Sequence, residues 1–328
     1  MQRNATVVAS AISGVLLSIA APVAWSQTAP YPAKLVRIIN PVAPGGNQDI
    51  VARAYAEQFA KHFGQQFVIE NRPGNSAIVG TRFVKAAPAD GYTLLAISNT
   101  FARTPTMIKE AGYDPGKDFA AISMTSDTPL VLVVNPALPV RTVKEFIALA
   151  KQRPGEISSG SSGAGSTGHV AAEMFSRQAG IKLLHIQYKG AAPAIVDLVG
   201  GHVMLRFDQA STSIAHIRSG KLRALGVTTR KRAAQLPEVP TIDEAGLPGF
   251  QDSTFNGLMA PAGTPRAVLE RLHAEVARAA GVTELRKRYQ EIGIELVGSR
   301  SPEEFAGFLK KHVEDFTRLA RDAGLTAN

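Results

Sequence analysis

The 328-residue chain contains no cysteine. That excludes disulfides, thiolate metal sites, cysteine nucleophiles and a lipid anchor on cysteine. Aromatic residues are few, with one Trp, six Tyr and fourteen Phe, and they are scattered. Stacking on single-stranded nucleic acid therefore has little to stand on. His62, His169, His185, His202, His216, His273 and His312 form no H-x-H, H-x₃-H or H-E-x-x-H pattern, so no metal site is expected. After residue 26 no stretch is long and apolar enough to cross a bilayer. The formal net charge is +9, yet no run of five Lys or Arg occurs. The densest basic cluster, TRKRAAQ at 229–235, reads as a solvated loop. A diffuse positive field of this kind collects small anions, and no nucleic-acid partner is expected. There is also no internal repeat or low-complexity tract.

What is present begins with an export signal. Arg3 precedes an uncharged run from Ala5 to Trp25, and Ala24-Trp25-Ser26 stands before Gln27. A basic start, an apolar stretch and small residues at the −3 and −1 positions predict a signal peptide over residues 1–26, cut after Ser26. The alternative is an uncleaved anchor, which Pro22 disfavours. Export without cysteine points to a bacterial periplasm. About 300 residues then remain, enough for two domains of ordinary size.

Short β-branched runs alternate with amphipathic helical stretches along this remainder, which predicts an α/β fold with parallel sheets covered on both faces. Expected strands include 35–42, 66–74, 92–98, 182–190, 203–208 and 222–228. Expected helices include 47–63, 142–152, 264–280, 283–292 and 301–323. The 142–152 helix opens with Thr142 and Glu145, a capping box. The 301–323 helix opens with Ser301-Pro302-Glu303-Glu304, a cap, an N1 proline and an acidic first turn. Two extended segments, 119–136 and 247–261, are too long or too punctuated for ordinary strands. Two such crossings predict one domain from 27–129 plus 249–328 and a second, inserted domain from 130–248. The domains would face each other across a cleft with a two-strand hinge.

The segment SSGAGSTGHVAAEMF (161–175) carries a G-x-G-x-x-G pattern at Gly163, Gly165 and Gly168. A dinucleotide site would also need an acid at the end of the next strand, but that strand ends HIQYKG. A serine hydrolase would use Ser166 with Asp208 and His273 or His312, but AGSTG departs from G-x-S-x-G and no HGG-type oxyanion segment is present. The physics common to both motifs is a glycine turn that lets the backbone approach a ligand, followed by a helix N-terminus whose amides attract an anion. Ser161, Ser162, Ser166 and Thr167 add hydroxyl donors without charge. Plain capping by Ser or Thr is the alternative reading of the same residues. A second loop of this kind, PVAPGGNQDIVAR (41–53), follows the first strand, with Asn47 as the expected N-cap. In open α/β sheets ligands sit at the carboxyl ends of strands, where both loops fall. Asp49 is either a ligand contact or an acid in a helix first turn.

Nine segments in order resemble one family: YPAKLVRIINPVAPGGNQD, GQQFVIENRPGN, KAAPADGYTLLAIS, GSSGAGSTGHVAAEMF, QYKGAAPAIVDLVGGHV, SGKLRALGVTT, LPEVPTIDEAGLPGF, GLMAPAGTP and GIELVGSRSPEEF. From Tyr31 to Gly324 the chain is similar to the extracytoplasmic substrate-binding proteins of tripartite tricarboxylate transporters, the Bug family. The resemblance implies a two-domain periplasmic-binding-protein (Venus flytrap) fold closing on a carboxylate. It implies no enzyme activity and no cofactor. The expected partners are a small carboxylate and the membrane subunits of the transporter, and the receptor is expected to be a monomer. Carried onto this chain, it places Val42, Ala43, Gly46 and Asp49 in one half of the site, and Ser161, Ser162, Gly165, Ser166 and Thr167 in the other. Asn99, Thr100 and Asp208 occupy strand-end positions that meet the variable part of the ligand.

Three departures stand out. PGNSAIVG (73–80) lacks the usual extra glycines, Asn47-Gln48 replace smaller residues, and MLRFD carries Arg206. Arg206 either grips a second carboxylate or pairs with Asp208 on the same strand face. Strand alternation favours the pair.

Overall fold

The structure is a computed structural model and describes residues 31–322, which form one compact unit. The expected signal peptide lies outside the described residues. In chain order the first elements are β1 (Val36–Asn40), α1 (Asn47–Phe63), β2 (Phe67–Asn71), α2 (Ile78–Lys85), β3 (Thr93–Ser98), α3 (Asn99–Met107) and β4 (Phe119–Val134). There follow α4 (Val143–Gln152), β5 (Ser158–Ser161), α5 (Thr167–Ala179), β6 (Leu184–Gln187), α6 (Ala191–Gly200), β7 (Leu205–Gln209), α7 (Ala210–Arg218) and β8 (Arg223–Val227). The last are β9 (Ser253–Pro261), α8 (Arg266–Ala280), α9 (Thr283–Gln290), β10 (Glu295–Leu296) and α10 (Pro302–Asp322).

Helix boundaries follow local chemistry. Gly64 takes φ 66° at the end of α1, a left-handed conformation that costs glycine nothing, and its amide closes on Ala60 O. Thr142 Oγ1 accepts from the Glu145 amide at 3.1 Å and starts α4. Ser301 Oγ accepts from the Glu304 amide at 3.1 Å and starts α10. The expected Asn47 cap is corrected: Gly46 is the N-cap of α1, and Asn47 is the first helical residue.

The strands run in the order β2-β1-β3-β9-β4-β7-β5-β6, with β8 and β10 also on β4. Strand β1 is parallel to β2 and β3, and β5 is parallel to β6 and β7, as the alternation predicts. Strands β4 and β9 differ from that expectation and run antiparallel to their neighbours. A strand that leaves one half of the sheet and a strand that returns to it point in opposite senses.

The 16 residues of β4 serve both halves. Phe119–Pro129 pair with β9, while Leu130–Val134 pair with β7 and β8. Register shifts near Ala121 and Met124 mark bulges, which bend and twist a strand. Alternation along β4 then divides the second half. Leu130, Leu132 and Val134 pack beneath Phe146 of α4 and Phe175 of α5, while Val131 and Val133 pack beneath Leu198 of α6 and Ile214 of α7. In the first half, Leu94 and Ala96 of β3 pack with Tyr55 and Phe59 of α1, and Leu95 and Ile97 with Phe101 and Phe305. A small fifth cluster joins the halves: Phe316 and Ala320 of α10 meet Val170 of α5.

Candidate functional site

The strand ends of both halves meet at a cavity of about 40 Å³. The first half contributes Val42, Gly46, Asn47, Gln48, Ser98, Thr100, Thr254 and Asn256. The second half contributes Ser162, Ser166, Thr167, Gly190, Ala191 and Gln209. Among these residues are the N-terminal ends of five helices. Gly46 starts α1, Ser98 α3, Ser166 α5, Gly190 α6 and Gln209 α7. Four of the five have no side-chain cap; only Ser166 closes on its own helix, accepting from the His169 amide at 3.4 Å. No acidic residue stands in the first turn of α3, α5, α6 or α7. Each helix start carries about half a positive charge and unpaired amide N–H groups. The lining contains no Lys, Arg, His, Asp or Glu to oppose or replace that field. An anion is the chemical complement of such a place.

Of the twelve residues singled out in the sequence, Val42, Gly46, Thr100, Ser162, Ser166 and Thr167 line the cavity. The other six do not line it. Ala43 faces the second half, where a Cβ built on Gly190 would come within 2.8 Å of its Cβ. Asp49 is buried and does not face the cavity. It accepts from the Gly45 amide (3.0 Å), Asn40 Nδ2 (3.2 Å), Asn71 Nδ2 (2.9 Å) and the Arg53 guanidinium (2.9 and 3.0 Å). Burial works to raise its pKa, but the hydrogen bonds from Arg53, Gly45 and Asn71 outweigh it and hold the carboxyl below its ordinary value. Asp49 thus ties the 42–46 loop to β1 and β2.

Asn99 is engaged at both ends by the chain entering β9, donating to Ser253 O and accepting from the Phe255 amide, each at 2.9 Å. Ser161 turns inward to His185 Nε2 at 2.6 Å. The Gly165 amide donates to His169 Nδ1 at 3.1 Å, so it is not available to a ligand. The amides of Gly163 and Ser166 are likewise used inside the loop, by Ser161 Oγ and Gly163 O. Asp208 is fully buried, bound to Arg206 Nη2 at 2.6 Å and Thr212 Oγ1 at 2.5 Å. Arg206 also donates to Ala191 O, behind the wall. The pairing favoured by strand alternation is the observed one, and neither member faces the cavity.

His169 and His185 stack beneath the glycine loop with ring centroids 4.0 Å apart. Burial, aided by His185, pushes His169 down to about 3, and burial lowers His185 as well. A neutral His169 keeps Nδ1 free to accept from Gly165 and so holds the turn. The turn it faces is unusual: Asn75, Ser76 and Ala77 all take positive φ, at 44°, 51° and 72°. A Cβ on Gly163 would lie 3.3 Å from Ser76 Oγ, so glycine permits this approach.

The remaining lining residues escaped the sequence reading or entered it only as neighbours. Gln48 Nε2 donates to Ala96 O, and Asn47 Oδ1 accepts from Ser211 Oγ of α7 at 2.7 Å and Thr128 Oγ1 of β4 at 3.3 Å. Ser98, Gly190, Ala191, Gln209, Thr254 and Asn256 were not singled out as site residues. Gly190 stood in the quoted segment QYKGAAPAIVDLVGGHV, where a glycine before a helical run was the available signal. Two larger hollows, of about 800 and 430 Å³, lie elsewhere. Neither borders the glycine loops: the first runs between Arg232 and Lys287, the second between Phe119 and Leu309.

The hydrolase alternative fails on this geometry. Ser166 Oγ serves as a helix cap, His273 bonds Ser299 O, His312 meets Arg103, and Asp208 is held by Arg206.

A model described as the tripartite tricarboxylate transporter family receptor matches residues 51–325. The periplasmic binding protein BugD superposes with a TM-score of 0.87 at 33% identity, covering 91% of this chain and all of BugD. R. palustris Rpa4515, solved with adipate, gives 0.88 at 35% identity over 91% of this chain and all of that one. MatC of Rhodopseudomonas palustris, solved with bound malate, gives 0.83 at 28% identity over 88% of this chain and 99% of that one. The fold is accordingly that of periplasmic binding proteins of the Venus flytrap type, and the chain belongs to the tripartite tricarboxylate transporter receptor family, whose members are solute-binding receptors and not enzymes.

Proposed function

We propose that this receptor captures a small carboxylate between two lobes and delivers it to the membrane subunits of a tripartite transporter. The lobes are residues 27–129 with 249–328, and residues 130–248. The observation that carries the reading is the set of five helix starts around a cavity without one charged side chain. A carboxylate gains ~1 kcal/mol from each well-placed helix terminus, and charge-assisted hydrogen bonds add ~1.5–3 kcal/mol each. A micromolar dissociation constant needs about −8 kcal/mol, which a few such contacts reach. Bound and unbound states then differ by closure: a ligand that touches both lobes favours the closed arrangement over the open one. The 42–46 loop and the start of α6 form one closing seam, since a Cβ on Gly46 would touch Ala191 Cβ at 3.4 Å. The adipate and malate held by the two related receptors are both carboxylates. The protein is exported to the periplasm after cleavage near Ser26 and acts there as a monomer.

Calorimetry of the mature protein against mono-, di- and tricarboxylates, aromatic acids and acidic amino acids tests the reading. At least one carboxylate should bind, and Ser166→Ala with Thr167→Ala should weaken every carboxylate ligand similarly. The absence of heat and of thermal shift across the whole panel would refute it.

A further inference from the structure

The cavity wall carries information that a bare carboxylate does not use. Asn47 Nδ2, Gln209 Oε1, Thr254 Oγ1 and Asn256 Oδ1 are buried atoms without a hydrogen-bond partner among the described residues. All four side chains line the same cavity. Asn47, Thr254 and Asn256 are only 3, 1 and 2% exposed. Buried polar groups are normally satisfied, so four unsatisfied ones at a single cavity mark what is meant to fill it. Two of the amides are held at their other end. Asn256 Nδ2 donates to Ser126 Oγ at 2.8 Å, and Asn47 Oδ1 is fixed by Ser211 and Thr128. Their free ends cannot turn away to find other partners.

The character of these atoms selects the ligand. They are neutral, and they include acceptors as well as donors. A second carboxylate would bring acceptors to Gln209 Oε1 and Asn256 Oδ1, where none is wanted. An ammonium group could donate to the two amide oxygens, but it would find no carboxylate to balance its charge and would offer Asn47 Nδ2 no acceptor. An aromatic or alkyl tail would leave all four unsatisfied. A hydroxyl both donates and accepts, so it meets an amide in either orientation and Thr254 equally well. The cavity is also small, about 40 Å³.

Resting on the carboxylate reading above, we propose that the ligand is a compact hydroxylated carboxylate whose hydroxyl groups are read by Gln209, Thr254, Asn256 and Asn47. A site built to hydrogen-bond a hydroxyl discriminates strongly against the analogue lacking it, because its own polar groups are then left unpaired.

The test is calorimetry on the mature protein with acid pairs matched in carbon number and differing by hydroxyl groups: lactate against propionate, 3-hydroxybutyrate against butyrate, and malate and tartrate against succinate. The best hydroxy acid should bind at least tenfold more tightly than its deoxy partner, about 1.4 kcal/mol. Thr254→Val, which keeps shape and removes the hydroxyl, should shrink that ratio by threefold or more. Deoxy acids that bind as tightly as their hydroxylated partners would overturn this proposal while leaving the carboxylate reading intact. If no carboxylate binds at all, both readings fall together.

Discussion

Asp49 offers the sharpest check on how the site is assembled. Its carboxylate faces away from the cavity and gathers four partners: the Gly45 amide, Asn40, Asn71 and Arg53. Asp49→Asn keeps the size and one carbonyl oxygen but presents an NH₂ group where an acceptor stood. Arg53 is half exposed, so losing that ion pair costs ~0.5–1 kcal/mol. The new NH₂ faces donors, and at least one buried donor among Gly45, Asn40 and Asn71 loses its acceptor, at ~1–3 kcal/mol. The sum is about 1.5–4 kcal/mol, which at this chain length lowers Tm by roughly 2–7 °C. Affinity for a carboxylate should change less than tenfold, because the loop is loosened and no ligand contact is removed. The pH dependence carries the same signature. The folded carboxyl sits below its ordinary value, so its contribution is present above about pH 4 and is lost as pH falls through the folded pKa. Asp49→Asn should remove that part of the acid limb. Scanning calorimetry and ligand titration of the one variant decide the matter. A Tm within a degree of the parent, combined with a hundredfold loss of affinity, would show that Asp49 touches the ligand and that its role as a scaffold is misassigned.

Two further perturbations follow from the same geometry. Gly190→Ala places a methyl 2.8 Å from Ala43 Cβ across the seam, at a φ of 150° that also favours glycine. It should prop the lobes apart, raising the radius of gyration in small-angle scattering and weakening carboxylate binding more than tenfold; unchanged values for both would contradict the seam. His312 is packed against Phe255 and bonded by Arg103, and burial, reinforced by the Arg103 charge, pushes its pKa down to about 3. The unfolded chain takes up that proton near pH 6.5 while the folded one refuses it, so stability falls by up to about 1.4 kcal/mol per pH unit as pH drops below 6.5. His312→Gln should flatten the decline of Tm between pH 6.5 and 4 without altering its shape above 7, and an equally steep decline in the variant would show that His312 is charged in the folded protein.

The amino-acid sequence determined most of the elements unaided. Helix α1 shows its apolar face at Val51, Ala54, Tyr55 and Phe59, and Gly64 ends it, because helical period and left-handed glycine are local properties. The same is true of α4 and α10, whose caps sit within three residues of their targets. Helices α3 and α7 went unread. Each begins on the residue after a strand, NTFARTPTM with a proline inside and ASTSIAHIR with a polar start, and neither offers a separate start signal. Their N-termini are nonetheless two of the five that surround the cavity.

Within the site, the glycine loops and Ser166 were legible because turn and cap chemistry is sequence-near. The orientation of side chains was not. Asp49 looks like a candidate ligand contact in the sequence, and only tertiary packing reveals that Asn71 and the Gly45 amide already occupy it; the Arg206–Asp208 pair was legible because both residues share one strand face. Thr254 and Asn256 lie more than 80 residues from any glycine loop on the chain and reach the cavity only because β9 runs back antiparallel beside β3 and β4. Local backbone preference decides which segments are helices and strands; which polar groups stay unpaired depends on the partners that folding brings from far along the chain.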